Sequence, residues 1–86
     1  MSETPIAATT DYPIPPGEHI GDWLRDRGIP METFARRMHL TEETCAALIA
    51  GIAPIDDNTA RRLERVTGAS AAYWRNLEAS YRRALA

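Results

Sequence analysis

Residues 30–51 read PMETFARRMHLTEETCAALIAG and contain two short apolar patterns of helical spacing. In the first pattern, Phe34 and Met38 lie on the same stripe of a helix that we place over about 30–38. The link His39-Leu40 is too short for anything but a tight turn before the second pattern begins. The stretch therefore predicts two short helices packed across a turn.

The second pattern predicts a helix from Thr41 to Ala50. Its apolar residues stand at i, i+3, i+4 and i+7 and are Cys45, Leu48, Ile49 and Ile52. The hydroxyl of Thr41 can cap the first turn, and Gly51 is placed to end the helix. We expect this apolar face, including Ile52, to pack against the core.

Three further helices are predicted from the same kinds of pattern. One runs over about 16–27, a second is capped by Asp56 or Asp57 and runs to about Thr67, and a third follows a cap at Ser70. The inward-facing residues of the first two are Ile20, Trp23, Leu24, Ala60, Leu63 and Val66. The last helix carries Trp74, Leu77, Tyr81 and Leu85, a stripe that either closes the core or joins two protomers. No strand alternation appears, so we predict an all-α domain of five helices over residues 16–86.

The N-terminal residues differ from the rest in composition. Pro5, Pro13 and Pro15 stand among small residues, and each proline removes a backbone donor and restricts the residue before it. We predict that residues 1–15 form a flexible, disordered arm.

The 86 residues are 44% hydrophobic and 26% charged, which is typical of one small globular domain. The net charge of −2 hides a polarity along the chain. Residues 1–60 contain four arginines and ten acidic residues, a balance of −6, whereas residues 61–86 contain six arginines and two glutamates, a balance of +4. Nucleic-acid-binding domains usually carry a basic surface, and here it is expected toward the C-terminus.

The sequence lacks the residues that several classes of function require. Cys45 is the single cysteine, and neither His19 nor His39 stands at metal-ligand spacing from it, so we expect no disulfide, metal site or cofactor. The sequence shows neither a nucleophile paired with a base nor a phosphate-binding glycine loop, so no pattern in it indicates an enzyme. A long apolar run and a secretion signal are also missing, and an unpaired cysteine favours the cytoplasm. Cys45 is expected to be a small buried hydrophobic residue rather than a reactive thiol.

The order and spacing of six segments resemble those of the HigA-type antitoxins. These segments are Pro16-Gly17-Glu18, Phe34-Ala35-Arg36, Leu40-Thr41, Leu48-Ile49-Ala50-Gly51, Asn58-Thr59-Ala60-Arg61-Arg62-Leu63 and Trp74-Arg75-Asn76-Leu77. The resemblance covers about residues 15–83. It implies a five-helix fold with a helix-turn-helix like that of phage repressors. It also implies a homodimer that binds operator DNA and neutralises a toxin encoded beside it.

The resemblance assigns roles to particular residues. The second helix of a helix-turn-helix enters the major groove with its N-terminal residues on base edges. Base-facing positions would then be Thr41, Glu42, Glu43, Thr44 and Ala47. Phosphate contacts would come from Arg36, Arg37, Arg61 and Arg62. The dimer interface would use Trp74, Leu77 and Tyr81.

This sequence departs from the family at several of these positions. A glutamate can accept a hydrogen bond from cytosine, but Glu42 and Glu43 together also face the negative phosphates. The alternative interpretation is that both complement the helix macrodipole. Likewise, the arginines are either phosphate contacts or solvated surface residues, with Arg61 and Arg65 able to pair with Glu64 or Glu78. His39 stands where the family favours glycine.

Two functions remain after this comparison. One is a DNA-binding regulator and antitoxin that binds its operator as a dimer. The other is a helix-turn-helix module that binds a toxin or another protein and has weak or no affinity for DNA. An acidic helix facing a basic protein would gain association rate and specificity from complementary charge.

Overall fold

Five helices make up the described part of the chain, residues 14–86, in this computed structural model. They are α1 (Pro16–Arg27), α2 (Met31–Met38), α3 (Glu42–Ile49), α4 (Asp57–Thr67) and α5 (Ala71–Leu85). No strand occurs between residues 14 and 86, so the predicted all-α fold of five helices is confirmed. Within this range, none of the helices has both the length and the apolar character needed to span a membrane.

The helix boundaries follow from local capping. Side-chain oxygens of Thr41, Asp56 and Ser70 each accept a hydrogen bond from the backbone amide three residues later. Asp56, rather than Asp57, is therefore the N-cap residue, and Asp57 is the first residue of α4. Gly28 and Gly68 adopt left-handed conformations after α1 and α4, which ends both helices as expected.

One apolar core joins all five helices. Its buried members are Ile20, Leu24, Phe34, Ala35, Met38, Cys45, Leu48, Ile55, Ala60, Leu63 and Trp74. α2 packs against α3 and α4, α1 packs against α3 and α5, and α4 packs against α5. The short α3 is therefore held by α1 on one side and α2 on the other.

One residue predicted to face inward, Ile52, is exposed instead. Ile52 is 77% exposed because α3 ends at Ile49 and the chain turns through Gly51, whose φ is +80°, so the helical spacing no longer applies. On α5, Trp74 closes the core, whereas Leu85 at the end of the helix is 53% exposed. The arm predicted over residues 1–15 lies outside the described residues, apart from Ile14 and Pro15.

Candidate nucleic-acid interface

The first turn of α3 lies open on the surface. Thr41, Glu42, Glu43 and Thr44 are all exposed, and Ala47, one turn later, is half-buried. The Thr41 hydroxyl accepts a hydrogen bond from the Thr44 amide at 3.1 Å and donates one to the Thr44 hydroxyl at 2.9 Å. The five residues predicted to face bases are thus brought together on one helix start, and none of them is buried.

Two opposing fields act at this helix start. The unpaired backbone amides and the macrodipole make the N-terminus of a helix positive, whereas Glu42 and Glu43 bring two negative charges to it. The last turn of α3 contains no basic residue. Burial, with a smaller contribution from the Glu42 charge, raises the pKa of the Cys45 thiol one turn inside the helix. α3 therefore begins with two acidic residues, and the buried thiol of Cys45 lies one turn after its cap.

The four arginines predicted to contact phosphates fall into two groups. Arg36 and Arg37 are exposed in the last turn of α2, and Arg61 is exposed on α4. Arg62 is half-buried, and its Nη1 donates a hydrogen bond to the Met38 carbonyl oxygen at 2.7 Å. Three guanidinium groups are thus open to solvent, while the fourth is engaged with the end of α2.

The turn between α2 and α3 contains a strained residue. His39 has φ of +60° and ψ of 41°, and within residues 14–86 no other non-glycine residue has a positive φ. Its amide donates to the Arg36 carbonyl oxygen at 3.2 Å, and the Leu40 amide donates to that of Ala35 at 3.0 Å. This pattern satisfies two of the last carbonyl groups of α2. A left-handed conformation costs a side-chain-bearing residue about 1 kcal/mol more than glycine, as expected for His39.

This arrangement of helices is similar to several solved structures. A HigA-family addiction module antidote protein from Coxiella burnetii is 25% identical, with a TM-score of 0.80 over 86% of this chain and 82% of that one. The Pseudomonas aeruginosa antitoxin HigA, solved with the higBA promoter, is 30% identical, with a TM-score of 0.80 over 85% of this chain and 80% of that one. The chain belongs to the HigA family of antitoxins. No protein-family model and no curated protein sequence matches it.

A further similar structure is that of PA4674 from Pseudomonas aeruginosa in complex with its 28-bp operator DNA. It is 31% identical to this HigA-family chain, with a TM-score of 0.79, and the match covers 85% of this chain and 81% of that one. The helix-turn-helix interpretation of α2 and α3 is thus confirmed at the level of the fold.

The three residues predicted for a dimer interface differ in exposure in this HigA-family chain. Trp74 is 3% exposed and packs edge-to-face against Tyr73, with ring centroids 5.1 Å apart. Its Nε1 has no hydrogen-bond acceptor among residues 14–86. Leu77 and Tyr81 are half-buried, and the Arg82 guanidinium lies 5.0 Å from the centroid of the Tyr81 ring. Trp74 therefore belongs to the core, whereas Leu77 and Tyr81 are partly open to solvent.

Two side-chain contacts were missed at the sequence level. Glu78 pairs with Arg82 at 2.6 Å rather than with Arg61 or Arg65, and their spacing of four residues on one helix would have indicated this. The contact between Arg62 and Met38 spans 24 residues, and no sequence pattern indicates it. No group of three potential metal ligands occurs within the described residues.

Proposed function

We propose that this HigA-family chain is a DNA-binding antitoxin that regulates transcription by binding its operator. α3 would enter the major groove with its N-terminal residues on base edges, and α2 would cross the phosphate backbone. The observation that carries this proposal is the open start of α3, where four consecutive residues from Thr41 to Thr44 are exposed. Similar structures with promoter or operator DNA support it.

We propose Arg36, Arg37 and Arg61 as the residues that contact phosphates. All three are exposed, and no ion pair within residues 14–86 occupies them. A phosphate contact positions a protein on the duplex without reading sequence. Each such contact adds about 0.9 to the slope of log affinity against log salt. Binding through this set should therefore weaken steeply as salt rises.

The acidic residues at the start of α3 decide which bases it can accept. A carboxylate can accept a hydrogen bond from the amino group of cytosine, but it repels phosphates. Glu42 and Glu43 are exposed and have no ion-pair partner in the described part of the chain. We propose that they face base edges together with Thr41, Thr44 and Ala47, and that they favour cytosine while lowering affinity for DNA in general.

We propose a homodimer as the binding species. Two recognition helices related by a twofold axis would meet half-sites about one helical turn apart, roughly 34 Å. The half-buried Leu77 and Tyr81 of α5 offer apolar area for this contact, and the buried Trp74 would support them from within the protomer. Sedimentation of the Leu77→Asp variant should show a monomer if α5 forms the interface.

A second candidate function is binding of a protein partner through α3, with little affinity for DNA. The observation that favours it is the absence of basic residues from the last turn of α3 together with the two exposed glutamates at its start. Such a surface suits a basic partner, and a cognate toxin is the partner that we propose.

One titration separates these functions. The protein is added to labelled DNA from its own promoter, to a scrambled duplex and to the product of the adjacent gene, each at two salt concentrations. Tight promoter binding that weakens steeply with salt supports the regulator. Sub-micromolar affinity for the protein together with no preference for the promoter rules the regulator out.

A charge-neutral variant tests the role of α3 directly. Glu42→Gln with Glu43→Gln should bind scrambled DNA more tightly, because two repulsive charges are removed from the duplex. Affinity for the promoter should fall relative to scrambled DNA if the glutamates read cytosine. Glu18→Gln is the matched control, since Glu18 is an exposed first-turn glutamate on α1, outside the helix pair. The double change removes two charges and the control removes one, so a change in log affinity no more than about twice that of the control would mean that α3 does not approach DNA.

A further inference from the structure

Arg62 reaches from α4 to the end of α2. Its Nη1 lies 2.7 Å from the Met38 carbonyl oxygen and 3.4 Å from that of His39. The side chain is half-buried, unlike the exposed Arg61 beside it. The two arginines are adjacent in sequence and equal in charge, yet they occupy different environments.

The end of α2 needs such a donor. The last carbonyl groups of a helix have no partners within it. Backbone amides of the turn satisfy the carbonyls of Ala35 and Arg36, and none of the turn's backbone hydrogen bonds ends on Met38. The Arg62 guanidinium supplies that missing donor. Its positive charge also lies at the negative end of the α2 macrodipole, where a cation is favourable.

We propose that Arg62 is a positioning residue for DNA binding, which holds the end of α2 and thereby sets the angle at which α3 projects. This inference rests on the proposed DNA-binding function. It replaces the earlier interpretation of Arg62 as a phosphate contact. A hydrogen bond from a charged donor is shorter and stronger than a neutral one, so it can hold a turn that also contains the strained His39.

The contact lies at the connection between the two helices. α2 and α3 are linked along the chain by His39, Leu40 and the cap residue Thr41, and they also pack against each other. A change in the conformation of this turn would rotate α3 relative to α2 while leaving each helix intact. Because α4 also packs against α2, Arg62 connects the orientation of the turn to the rest of the core.

The test compares Arg62→Gln with Arg61→Gln in the full chain, with promoter DNA as the probe over a series of salt concentrations. A residue that contacts phosphate contributes about 1 to the salt slope. Arg61→Gln is therefore expected to make the slope shallower by about 1. Arg62→Gln should weaken binding about tenfold at every salt concentration and leave the slope unchanged.

Amide hydrogen exchange supplies a second readout without DNA. Loss of the Arg62 contact should speed exchange at Leu40, whose amide bonds to the Ala35 carbonyl, about tenfold relative to the wild type. Arg61→Gln should leave the exchange of Leu40 unchanged. Either a shallower salt slope or unchanged exchange at Leu40 in Arg62→Gln overturns the proposal.

Two further outcomes are distinguishable. If the wild type does not bind its promoter, the proposed function fails, and exchange at Leu40 alone then decides whether Arg62 holds the turn. If Arg62→Gln does not fold by circular dichroism, Arg62→Lys takes its place in both measurements. Lysine keeps the charge but not the planar donor group. It should bind DNA less tightly than the wild type with an unchanged slope, and a wild-type affinity would count against the proposal.

Discussion

Replacing Gly17 with alanine should destabilise the domain, although glycine inside a helix ordinarily costs about 0.5–1 kcal/mol relative to alanine. A Cβ atom at Gly17 would lie 2.2 Å from the Ile49 carbonyl oxygen and 2.3 Å from that of Leu48. Both distances are more than 1 Å shorter than ordinary contact, which begins at 3.4 Å. The two oxygens belong to the backbone of the last turn of α3, so no side-chain rotation can relieve the clash, and α1 must move away.

The expected size of the effect follows from these contacts. Overpacking in a close-packed interior costs about 1–3 kcal/mol, and the gain in helix propensity offsets only part of it. For a domain of this size, 1 kcal/mol shifts Tm by roughly 4–8 °C. We therefore expect Gly17→Ala to lower Tm by about 10 °C. Because the last turn of α3 would shift as well, the affinity of the Gly17→Ala variant for promoter DNA should also fall.

Gly21 provides the matched control on the same helix. Its added Cβ would meet only the Ile49 Cγ2 atom at 3.7 Å, an ordinary van der Waals contact. Gly21→Ala should therefore stabilise the domain by about 0.5–1 kcal/mol. Thermal and urea denaturation by circular dichroism, at one protein concentration, measures both variants. A Gly17→Ala variant as stable as the wild type would refute the close approach of α1 to α3.

Three further experiments test the turn, a cap and the core. His39→Gly should stabilise the domain by about 1 kcal/mol, because glycine adopts a positive φ without strain, and a lower Tm would contradict this. Hydrogen bonds from Thr59 lower the pKa of Asp56. The ionised carboxylate therefore stabilises the domain above the unfolded-state pKa, and this contribution is lost as the pH falls through the folded-state pKa. Asp56→Ala should thus lower the free energy of unfolding, measured with urea, by about 1 kcal/mol at neutral pH and by less at about pH 2. An equal loss at both pH values would exclude the carboxylate as the cause. Cys45 has no solvent exposure, so its thiol should react with an aromatic disulfide reagent only as fast as the domain opens. Burial also raises the pKa of this thiol, which lowers its reactivity further. Reaction at the rate of a free thiol would mean that the core is open.

The sequence predicts the candidate site in part. The apolar spacing of residues 30–51 and the cap at Thr41 place α2 and α3 correctly, and with them the exposed start of α3. The sequence does not reveal that Arg61 is open to solvent and Arg62 is half-buried. Two adjacent arginines look alike until the position of the facing helix is known.

Helix type and helix ends depend on residues within about four positions of one another, so the sequence alone determined the five helices, their caps at Thr41, Asp56 and Ser70, and most of the core. The tertiary structure decided which groups from distant parts of the chain meet. Ile52 faces solvent because the chain turns at Gly51, and Arg62 holds Met38 because α4 packs across α2. Such contacts depend on the relative placement of whole helices, which local spacing does not encode.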